Sequence, residues 1–500
     1  MILRPQLKDF KIIGFYLGKI IIGLAIFMAI PLAVAFVIGE ITPLFDFICS
    51  FLFCVIAGLA LHIFCYTEED PNWSHGMIVV SLSWILASLV GAIPLYLSGH
   101  FNSFLDATFE AMSGFTTSGL SLANDLAHMS YAHNLWRHLT HFIGGQGIVV
   151  VILSFFVKGV SGAFRLYVGE ARDEKVLPNI RQTARFIWGV SFIYLILGSF
   201  VLGVTAMFEG INAHKAFFHG ICLFMAAFDT GGFAPQQQNI MYYHSMPLEI
   251  VSMVVMVLGS INFRLHYIVW TGQPRELWRD FEMITFFLSV MCLTAFVALG
   301  LSRLDLYHSS IALFRNGFFQ VISAHTGTGF QTIYPVQFMH DWGSLAVFGV
   351  MCAMSLGGCV NSTTGGIKAL RLGIVGKAFI GDAKYYVSPE SAVFFQKIHH
   401  IKDMILSEKQ MRAACMIMIA YITTFFIGGV IGMLCGYPFV ESFFESISAT
   451  GNVGLSCGIT SPDMPDALKI TYIVQMWAGR LEFISVFALI GFMVALIKGR

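Results

Sequence analysis

Charge is what this sequence has least of. Asp, Glu, Lys and Arg together make up 12% of its 500 residues, whereas hydrophobic residues make up 57%. Soluble domains carry roughly 25% charged residues, so an ordinary soluble fold is excluded. Apolar runs of about 20 residues recur along the chain, and each is long enough to cross a hydrocarbon core of roughly 30 Å. We therefore predict an all-α polytopic membrane protein. The clearest runs are Ile20–Val37, Phe45–Cys65, Met77–Leu97, Ile187–Met207, Val251–Trp270 and Ala413–Leu434.

The sequence also lacks the short motifs of the common enzyme classes. It contains no HExxH, no GxSxG and no Walker motif, and its ten cysteines show no CxxC spacing. The formal net charge is zero, which gives no reason to expect nucleic acid as a partner. We expect a protein that is not an enzyme and that carries no organic cofactor. The adjacent His399 and His400 lie in a basic loop, where we expect them at the surface.

Lys and Arg are missing from every second connection between the apolar runs. Segments 38–44, 122–133, 234–246, 332–342 and 458–468 contain neither residue. Basic residues cluster in the other connections and at both ends of the chain. Because cytoplasmic loops carry the excess of Lys and Arg, we predict that both termini are cytoplasmic. An even number of spans follows, and ten fits the apolar runs.

One pattern occurs four times. A full-length span leads to a segment of roughly 12–15 residues, a polar glycine-containing cluster, and another span. The short segments cannot cross a bilayer, so each must dip into the membrane and return to the same side. They are approximately Phe101–Phe115, Ala213–Phe228, Ser309–Ala324 and Phe439–Ala449.

The polar clusters that follow these segments predict a cation filter. Irregular backbone at membrane depth is tolerated only where it is buried in protein or lines water. Glycine lets successive carbonyl oxygens point in one direction, and such oxygens can replace the hydration shell of an alkali cation. A single loop of this kind is usually a turn, but four at regular spacing indicate a common site. The predicted filter residues are Thr117, Ser118, Gly119, Thr230, Gly231, Gly232, Gly327, Thr328, Gly329, Asn452, Val453 and Gly454.

A polar, glycine-rich segment interrupts the second span of the third pattern. Its four glycines and its Ser, Thr and Asn side chains disfavour a continuous helix. The segment is either a kink that allows close packing or a loop that lies across a pore. Arg480, inside the last apolar run, should face the interior and have a partner, because an isolated intramembrane charge is costly. The candidate gate comprises Gly357, Gly358, Cys359, Asn361, Ser362, Thr363, Thr364, Gly365, Gly366 and Arg480.

With these motifs the chain resembles the Trk/Ktr/HKT superfamily of potassium transporters, most of all its bacterial TrkH branch. The resemblance covers nearly the whole chain and rests on the four loops and on segments 144–147, 259–263, 357–371 and 476–482. It implies two extra N-terminal transmembrane helices (1–70) and four pore repeats, which fall at 74–160, 183–273, 279–382 and 408–497.

The resemblance further implies potassium uptake across the bacterial cytoplasmic membrane, potassium bound at the filter residues, and a gate formed by the interrupted segment with Arg480. It implies a homodimer regulated by a cytoplasmic nucleotide-binding ring of TrkA/KtrA-like subunits, for which Lys377–Arg412 offers a docking surface. Gly119 retains the glycine that the family associates with potassium preference.

Several residues leave alternatives open. Glu110, Glu441 and Glu445 lie in the short segments, where they either concentrate cations or orient the loops. Asp229 stands where the family usually has asparagine, and if ionised it adds negative charge near the outer pore. Asn452 replaces a commoner threonine, which leaves the chemistry of the fourth loop open. We expect Lys368 and Arg371 to anchor the chain at the cytoplasmic interface.

Three classes of function are compatible with a membrane protein of this composition. Channel-like potassium uptake driven by the membrane potential comes first, since one charge crossing 100 mV is worth about 2.3 kcal/mol. Sodium- or proton-coupled symport and a poorly selective potassium/sodium channel are the alternatives; the carboxylates expected for coupling are sparse. A membrane-embedded enzyme ranks below these because no catalytic motif is present.

Overall fold

The structure, a computed structural model, describes residues 5–147, 180–304, 306–307, 309–389 and 395–499. The end of the first predicted repeat (148–160) and most of the basic loop that follows it lie outside these residues. Within them the chain is mostly helical, as predicted. Large apolar side chains such as Phe36, Ile56, Phe208 and Leu434 point outward from the long helices, as expected for surfaces that face lipid.

The N-terminal helices form an antiparallel pair. They are α1 (Leu7–Ile38) and α2 (Ile41–Phe64), joined through Gly39. The buried residues of α2 are Phe47, Ser50, Cys54 and Gly58, at intervals of three and four, so one stripe packs on α1 and the rest of α2 faces outward. A Cβ atom at Gly58 would approach the Gly18 carbonyl to 3.0 Å, which shows how closely the two helices cross.

The remaining chain repeats the order long helix, short helix, loop, second helix. The first copy contains α3 (Trp73–Leu97), α4 (Phe104–Phe115) and α5 (Tyr131–Gln146). The second contains α6 (Ile180–Phe208), α7 (Ala213–Phe228), α8 (Met246–Ser260) and α9 (Phe263–Trp270), followed by the short α10 (Glu276–Arg279). The third contains α11 (Phe281–Ser302), α12 (Ser310–His325), α13 (Pro335–Asp341), α14 (Gly343–Ser355) and α15 (Ala369–Tyr386). The fourth contains α16 (Glu408–Leu434), α17 (Phe439–Gly451), α18 (Asp466–Arg480) and α19 (Ile484–Lys498).

The second helices of the later copies are broken. Residues 356–368 separate α14 from α15, as the glycine-rich sequence predicted. Two further breaks were not predicted from the sequence: α8 and α9 meet at 100°, and α18 and α19 meet at 111°. Arg480 is therefore the last residue of α18 rather than a residue inside a continuous span.

Six helices of the described residues are long and apolar enough to cross a membrane, or eight spans if each bent pair counts as one. The ten spans that we expected also require α5 and the interrupted pair α14–α15, which do not meet that standard alone.

A small β-hairpin lies between α15 and α16. Its strands are β1 (Lys397–His400) and β2 (Lys402–Ile405), which pair antiparallel. His399 is partly exposed, and the hydrogen bonds that its imidazole donates to Glu276 and to Asp403 raise its pKa. His400 is 3% exposed and pairs with Asp280, so the expectation of a surface position was wrong for this residue. Strand β1 packs against the start of α11, and this contact buries every second side chain of the strand.

Candidate ion pathway

The four short helices α4, α7, α12 and α17 end in the same way. In each, the backbone N–H of a residue just after the helix donates to a carbonyl five residues earlier, and this bond closes the C-terminus of the helix. The four bonds are Ser118 N to Ser113 O (2.8 Å), Gly231 N to Ala226 O (2.8 Å), Thr328 N to Ser323 O (2.9 Å) and Val453 N to Ser448 O (2.9 Å). Four different sequences thus adopt one backbone geometry, with the partially negative helix ends next to the loops.

Each loop has two residues in the left-handed region, separated by one residue. The φ values are 55° and 78° at Thr117 and Gly119, 52° and 75° at Thr230 and Gly232, 69° and 80° at Gly327 and Gly329, and 53° and 91° at Asn452 and Gly454. A non-glycine residue in this region costs of order 1–3 kcal/mol and persists only where its surroundings hold it. The first, second and fourth loops carry this cost at Thr117, Thr230 and Asn452, and the third uses Gly327 instead, so one constraint acts on all four loops.

The loops close into a ring. A Cβ atom on the last glycine of each loop would come closer than 3.0 Å to a carbonyl oxygen of the next loop. The pairs are Gly119 with Gly231, Gly232 with Thr328, Gly329 with Val453, and Gly454 with Ser118. The fourth pair returns to the first loop, so the structure brings all twelve predicted filter residues together around one centre.

The asparagine of the fourth loop supports this ring from behind. Asn452 Nδ2 donates to Ser118 Oγ (2.8 Å) and to the Met476 carbonyl (2.9 Å). Its backbone has the same left-handed φ as Thr117, and asparagine tolerates that region better than most residues. Its departure from threonine therefore changes the side-chain contacts and leaves the backbone of the loop in the common conformation.

The 356–368 segment is pinned into the bend between α8 and α9. Its ends are held together by Gly357 N donating to Ile367 O (2.8 Å). Cys359 N donates to Ser260 O (2.9 Å), and Phe263 N donates to Asn361 O (3.2 Å). These bonds use backbone groups that the break in α8–α9 would otherwise leave unpaired. The two breaks thus support one another.

The same segment touches two of the four loops that hold the predicted filter residues. Thr363 Oγ1 lies 2.9 Å from the Phe228 carbonyl and 3.2 Å from Thr230 Oγ1 in the second loop. A Cβ atom on Gly365 would come closer than 3.0 Å to the Gly451 carbonyl beside the fourth loop. The segment therefore lies against the helix-proximal ends of the loops, across the centre that they surround.

Arg480 joins this segment to the first repeat. Its guanidinium donates to the carbonyls of Thr363 (2.5 Å), Thr364 (3.5 Å) and Gly144 (2.7 Å), and to Thr117 Oγ1 (3.2 Å). These contacts supply the partners that a charge inside the membrane requires. Two of these acceptors are carbonyls of the segment, and the hydroxyl of Thr117 belongs to the first of the four loops.

Two further cations lie in the interior, contrary to our expectation of interface anchors. Lys368 is 4% exposed, and its Nζ contacts the carbonyl oxygen and, at 3.0 Å, the Oγ1 atom of Thr364. Arg371 is 7% exposed and forms an ion pair with Glu482, which lies in the bend between α18 and α19. The sequence placed both after the interrupted segment, but only the fold shows that this region is covered by the fourth repeat.

The carboxylates of the short helices bind their own loops. Glu110 accepts from Arg137 Nε (2.8 Å), Ser121 Oγ (2.9 Å) and Leu122 N (2.8 Å). Glu445 accepts from Ser456 Oγ (2.5 Å) and Thr460 N (3.2 Å) in the equivalent way. These contacts favour the orienting role over the concentration of cations for these two residues. Glu441 is half-buried in the first turn of α17.

Arg137 is a functional-site neighbour that sequence analysis missed. It is 1% exposed and holds Glu110. Its sequence signal was weaker than that of Arg480, because the surrounding segment 131–141 contains three histidines and an asparagine and is not an apolar run.

Asp229 lies at the opposite end of its loop from the one we expected. It is fully buried, and its Oδ1 accepts from Gln146 Nε2 (2.9 Å) in the last turn of α5. Gly144, in that same turn, binds Arg480. The expected position near the outer pore was wrong, because α7 ends at the depth of the 356–368 segment and Asp229 directly follows it.

A helical membrane protein whose four inward loops close around a common centre has the architecture of a cation-transport protein. The chain belongs to the TrkH family of cation transport proteins, which matches residues 44–495.

Relatives match nearly the whole chain. An uncharacterized cation transporter from Methanocaldococcus jannaschii is 31% identical over 489 residues, 98% of this chain and 97% of the relative. The Trk system potassium uptake protein TrkG of Escherichia coli K12 is 29% identical over 474 residues, 92% of this chain and 93% of TrkG. The crystal structure of the potassium transporter TrkH from Vibrio parahaemolyticus has a TM-score of 0.82 and 23% identity, covering 96% of this chain and 98% of that one. That likeness establishes the fold.

Proposed function

We propose that this chain takes up potassium across the cytoplasmic membrane as a channel-like transporter subunit. The closed ring of four loops with the same left-handed backbone conformation is the observation that carries the proposal. A ring of backbone carbonyls replaces the hydration shell of a potassium ion, and inward movement follows the membrane potential. Relatives named as potassium uptake proteins support this choice of cation.

The filter residues form the proposed potassium sites. Backbone carbonyls of Ser118, Gly231, Thr328 and Val453 belong to equivalent positions, each next to a glycine of the neighbouring loop. Four such oxygens, one from each loop, form one ring of ligands for a potassium ion. Selectivity for potassium over sodium is part of the proposal.

The 356–368 segment with Arg480 forms the proposed gate. In the described arrangement the guanidinium occupies carbonyl oxygens of Thr363 and Thr364 that a passing cation would otherwise use. A fixed positive charge there also opposes cations electrostatically. Opening requires the segment to leave Arg480 while α8 and α9 keep their bend.

The setting of this transporter is also proposed. The distribution of Lys and Arg supports cytoplasmic termini. We propose a homodimer that docks a cytoplasmic nucleotide-binding regulatory ring on the basic region 377–412.

Flux through the purified protein tests the function. In proteoliposomes with an imposed inside-negative potential, we expect rubidium uptake well above sodium uptake, with equal rates whether or not a sodium or proton gradient is present. Equal rubidium and sodium rates would replace the proposal by a poorly selective channel. Absence of flux at any potential would refute it.

Proton-coupled symport is a second candidate because of Asp229. One oxygen of this buried carboxyl, Oδ2, has no hydrogen-bond partner among the described residues, and buried carboxyls at membrane depth serve as proton relays. Rubidium uptake that requires an inward proton gradient, and that Asp229→Asn uncouples from the gradient, would favour symport over conduction.

A further inference from the structure

Three metal-ligating side chains meet at a buried point outside the ion pathway. Asp280 precedes α11, Glu282 lies in the first turn of α11, and His400 ends β1. One ligand atom from each residue lies within 4.8 Å of the other two. All three are buried, with 0%, 0% and 3% of their surface exposed.

We propose that Asp280, Glu282 and His400 bind a divalent transition-metal ion of the Zn²⁺ type. Two carboxylates and one imidazole are a ligand set that Zn²⁺ uses, with water in the fourth position. The imidazole favours zinc and its neighbours over magnesium and calcium, which prefer all-oxygen sites. A divalent cation would also offset the repulsion between two carboxylates buried together.

The distances fit an ion of this size. Asp280 Oδ2 and His400 Nδ1 are 2.9 Å apart and share a hydrogen bond. Two ligand atoms each about 2.1 Å from a metal, at angles of roughly 90–109°, lie about 3.0–3.4 Å apart. Metal binding therefore displaces the shared proton and separates the two atoms by a few tenths of an ångström. Such proton release is normal for zinc sites.

The backbone already orients Asp280 for this role. Its Oδ1 accepts from Glu282 N (2.9 Å) and Met283 N (3.3 Å), and its Oδ2 accepts from Ile401 N (2.9 Å). These bonds fix the carboxylate between the end of α10, the start of α11 and the hairpin. Supporting bonds of this kind raise metal affinity.

The proposed metal site connects the hairpin to the 356–368 segment. Glu282 Oε1 accepts from Val360 N (2.7 Å) within the segment and from Leu370 N (3.3 Å) just after it. A metal that binds Glu282 and His400 together would stabilise the described arrangement of the segment, because an ion that binds one state favours that state. We therefore expect zinc to lower potassium flux, an expectation that rests on the proposed function.

Direct metal binding is the primary test. The full-length protein, purified in detergent without a polyhistidine tag, is treated with EDTA, equilibrated with Zn²⁺, desalted and analysed for metal per chain. Sixteen histidines make surface binding a concern, so the comparison is between variants. We expect His400→Gln and Glu282→Gln each to hold one zinc equivalent less than wild type, and to lose the rise in melting temperature that zinc produces.

His399→Gln is the matched control. His399 lies on the same strand and also contacts two carboxylates, at Glu276 and Asp403, but it is partly exposed and is not a member of the three-residue cluster. We expect it to keep the zinc equivalent and the shift in melting temperature. Two variants at the site keep the test valid if one of them fails to fold. Equal zinc content in wild type and in a folded site variant, or loss in His399→Gln alone, overturns the proposal.

Rubidium flux with and without zinc separates this inference from the proposed function. Zinc that lowers flux in wild type and His399→Gln, and not in His400→Gln, supports the link to the gate. Bound zinc with unchanged flux refutes the link and leaves the metal site standing. A wild-type protein that conducts nothing refutes the proposed function, and the metal site is then decided by the binding data.

Discussion

Replacing Arg480 by glutamine is the sharpest test of the proposed gate. The side chain bridges the Thr363 carbonyl at 2.5 Å and the Gly144 carbonyl at 2.7 Å, and it reaches Thr117 in the first filter loop. Glutamine is polar enough to keep part of this bonding but removes the charge. We therefore expect Arg480→Gln to raise potassium flux.

The magnitude follows from electrostatics and hydrogen bonding. A cation held by the Thr363 carbonyl would lie about 5 Å from the guanidinium, where an effective dielectric constant of 20–40 gives a repulsion of about 1.7–3.3 kcal/mol. Each 1.36 kcal/mol in a barrier is a factor of ten in rate, so about tenfold faster flux is a lower expectation. Each hydrogen bond from the charged guanidinium stabilises the described position of the segment by about 1.5–3 kcal/mol.

Three variants at this position separate charge from hydrogen bonding. Arg480→Lys keeps the charge and loses the planar fork, so we expect a smaller rise in flux than with glutamine. Arg480→Ala loses both the charge and the hydrogen bonds. It should conduct more than wild type and melt at a lower temperature than Arg480→Gln. Rubidium uptake in proteoliposomes at a fixed modest potential measures the flux. Arg315→Gln, which removes a charge paired with Glu249 on α8, is the control and should leave flux unchanged.

The proposed gate is refuted if the charge at position 480 does not affect potassium flux. Wild-type flux in folded Arg480→Gln and Arg480→Ala proteins would make Arg480 a structural anchor. A rise of the same size in Arg480→Lys and Arg480→Gln would assign the effect to hydrogen bonding alone.

Three further changes test other parts of the site. Gly119→Ser introduces a side chain at a φ of 78° against a carbonyl of the next loop, and should lower the rubidium-to-sodium flux ratio; an unchanged ratio in a folded protein would remove Gly119 from the filter. Deleting 359–363 should raise flux with nearly unchanged selectivity, and lost selectivity at normal flux would instead assign the segment to the filter. Glu110→Gln leaves Arg137 buried without its carboxylate partner, at a cost of up to about 3–5 kcal/mol; we expect a lower melting temperature than in Glu441→Gln, and equal melting would show that the ion pair is dispensable.

The positions of the loops were predictable because their signals are local. A short apolar segment, a polar cluster and a glycine before Leu or Phe recur four times in the sequence, and no distant contact is needed to see them. The break after Ser355 was equally visible, since four glycines lie within ten residues. Helix propensity acts on neighbouring residues, so such features are readable one segment at a time.

The partners of the buried charges were not predictable. Arg371 and Glu482 are 111 residues apart, and His400 and Asp280 are 120 residues apart. Nothing in the composition of either segment indicates the other. The bend after Arg480 was also missed, although Gly479, Arg480 and Glu482 interrupt the apolar residues at this point.

The sequence by itself determined that this is a helical membrane protein with four short helices, each ending in a glycine-containing loop, and one interrupted span. Chain length, hydropathy and glycine content act locally, and those local preferences decide where helices cross a membrane and where they cannot continue. Only the tertiary structure decided that each loop meets the next, that the 356–368 segment fills the bend of α8–α9, and that Arg480 joins this segment to the first loop. These arrangements depend on buried polar groups that must find acceptors wherever the fold brings them, and in this protein the acceptors come from other repeats.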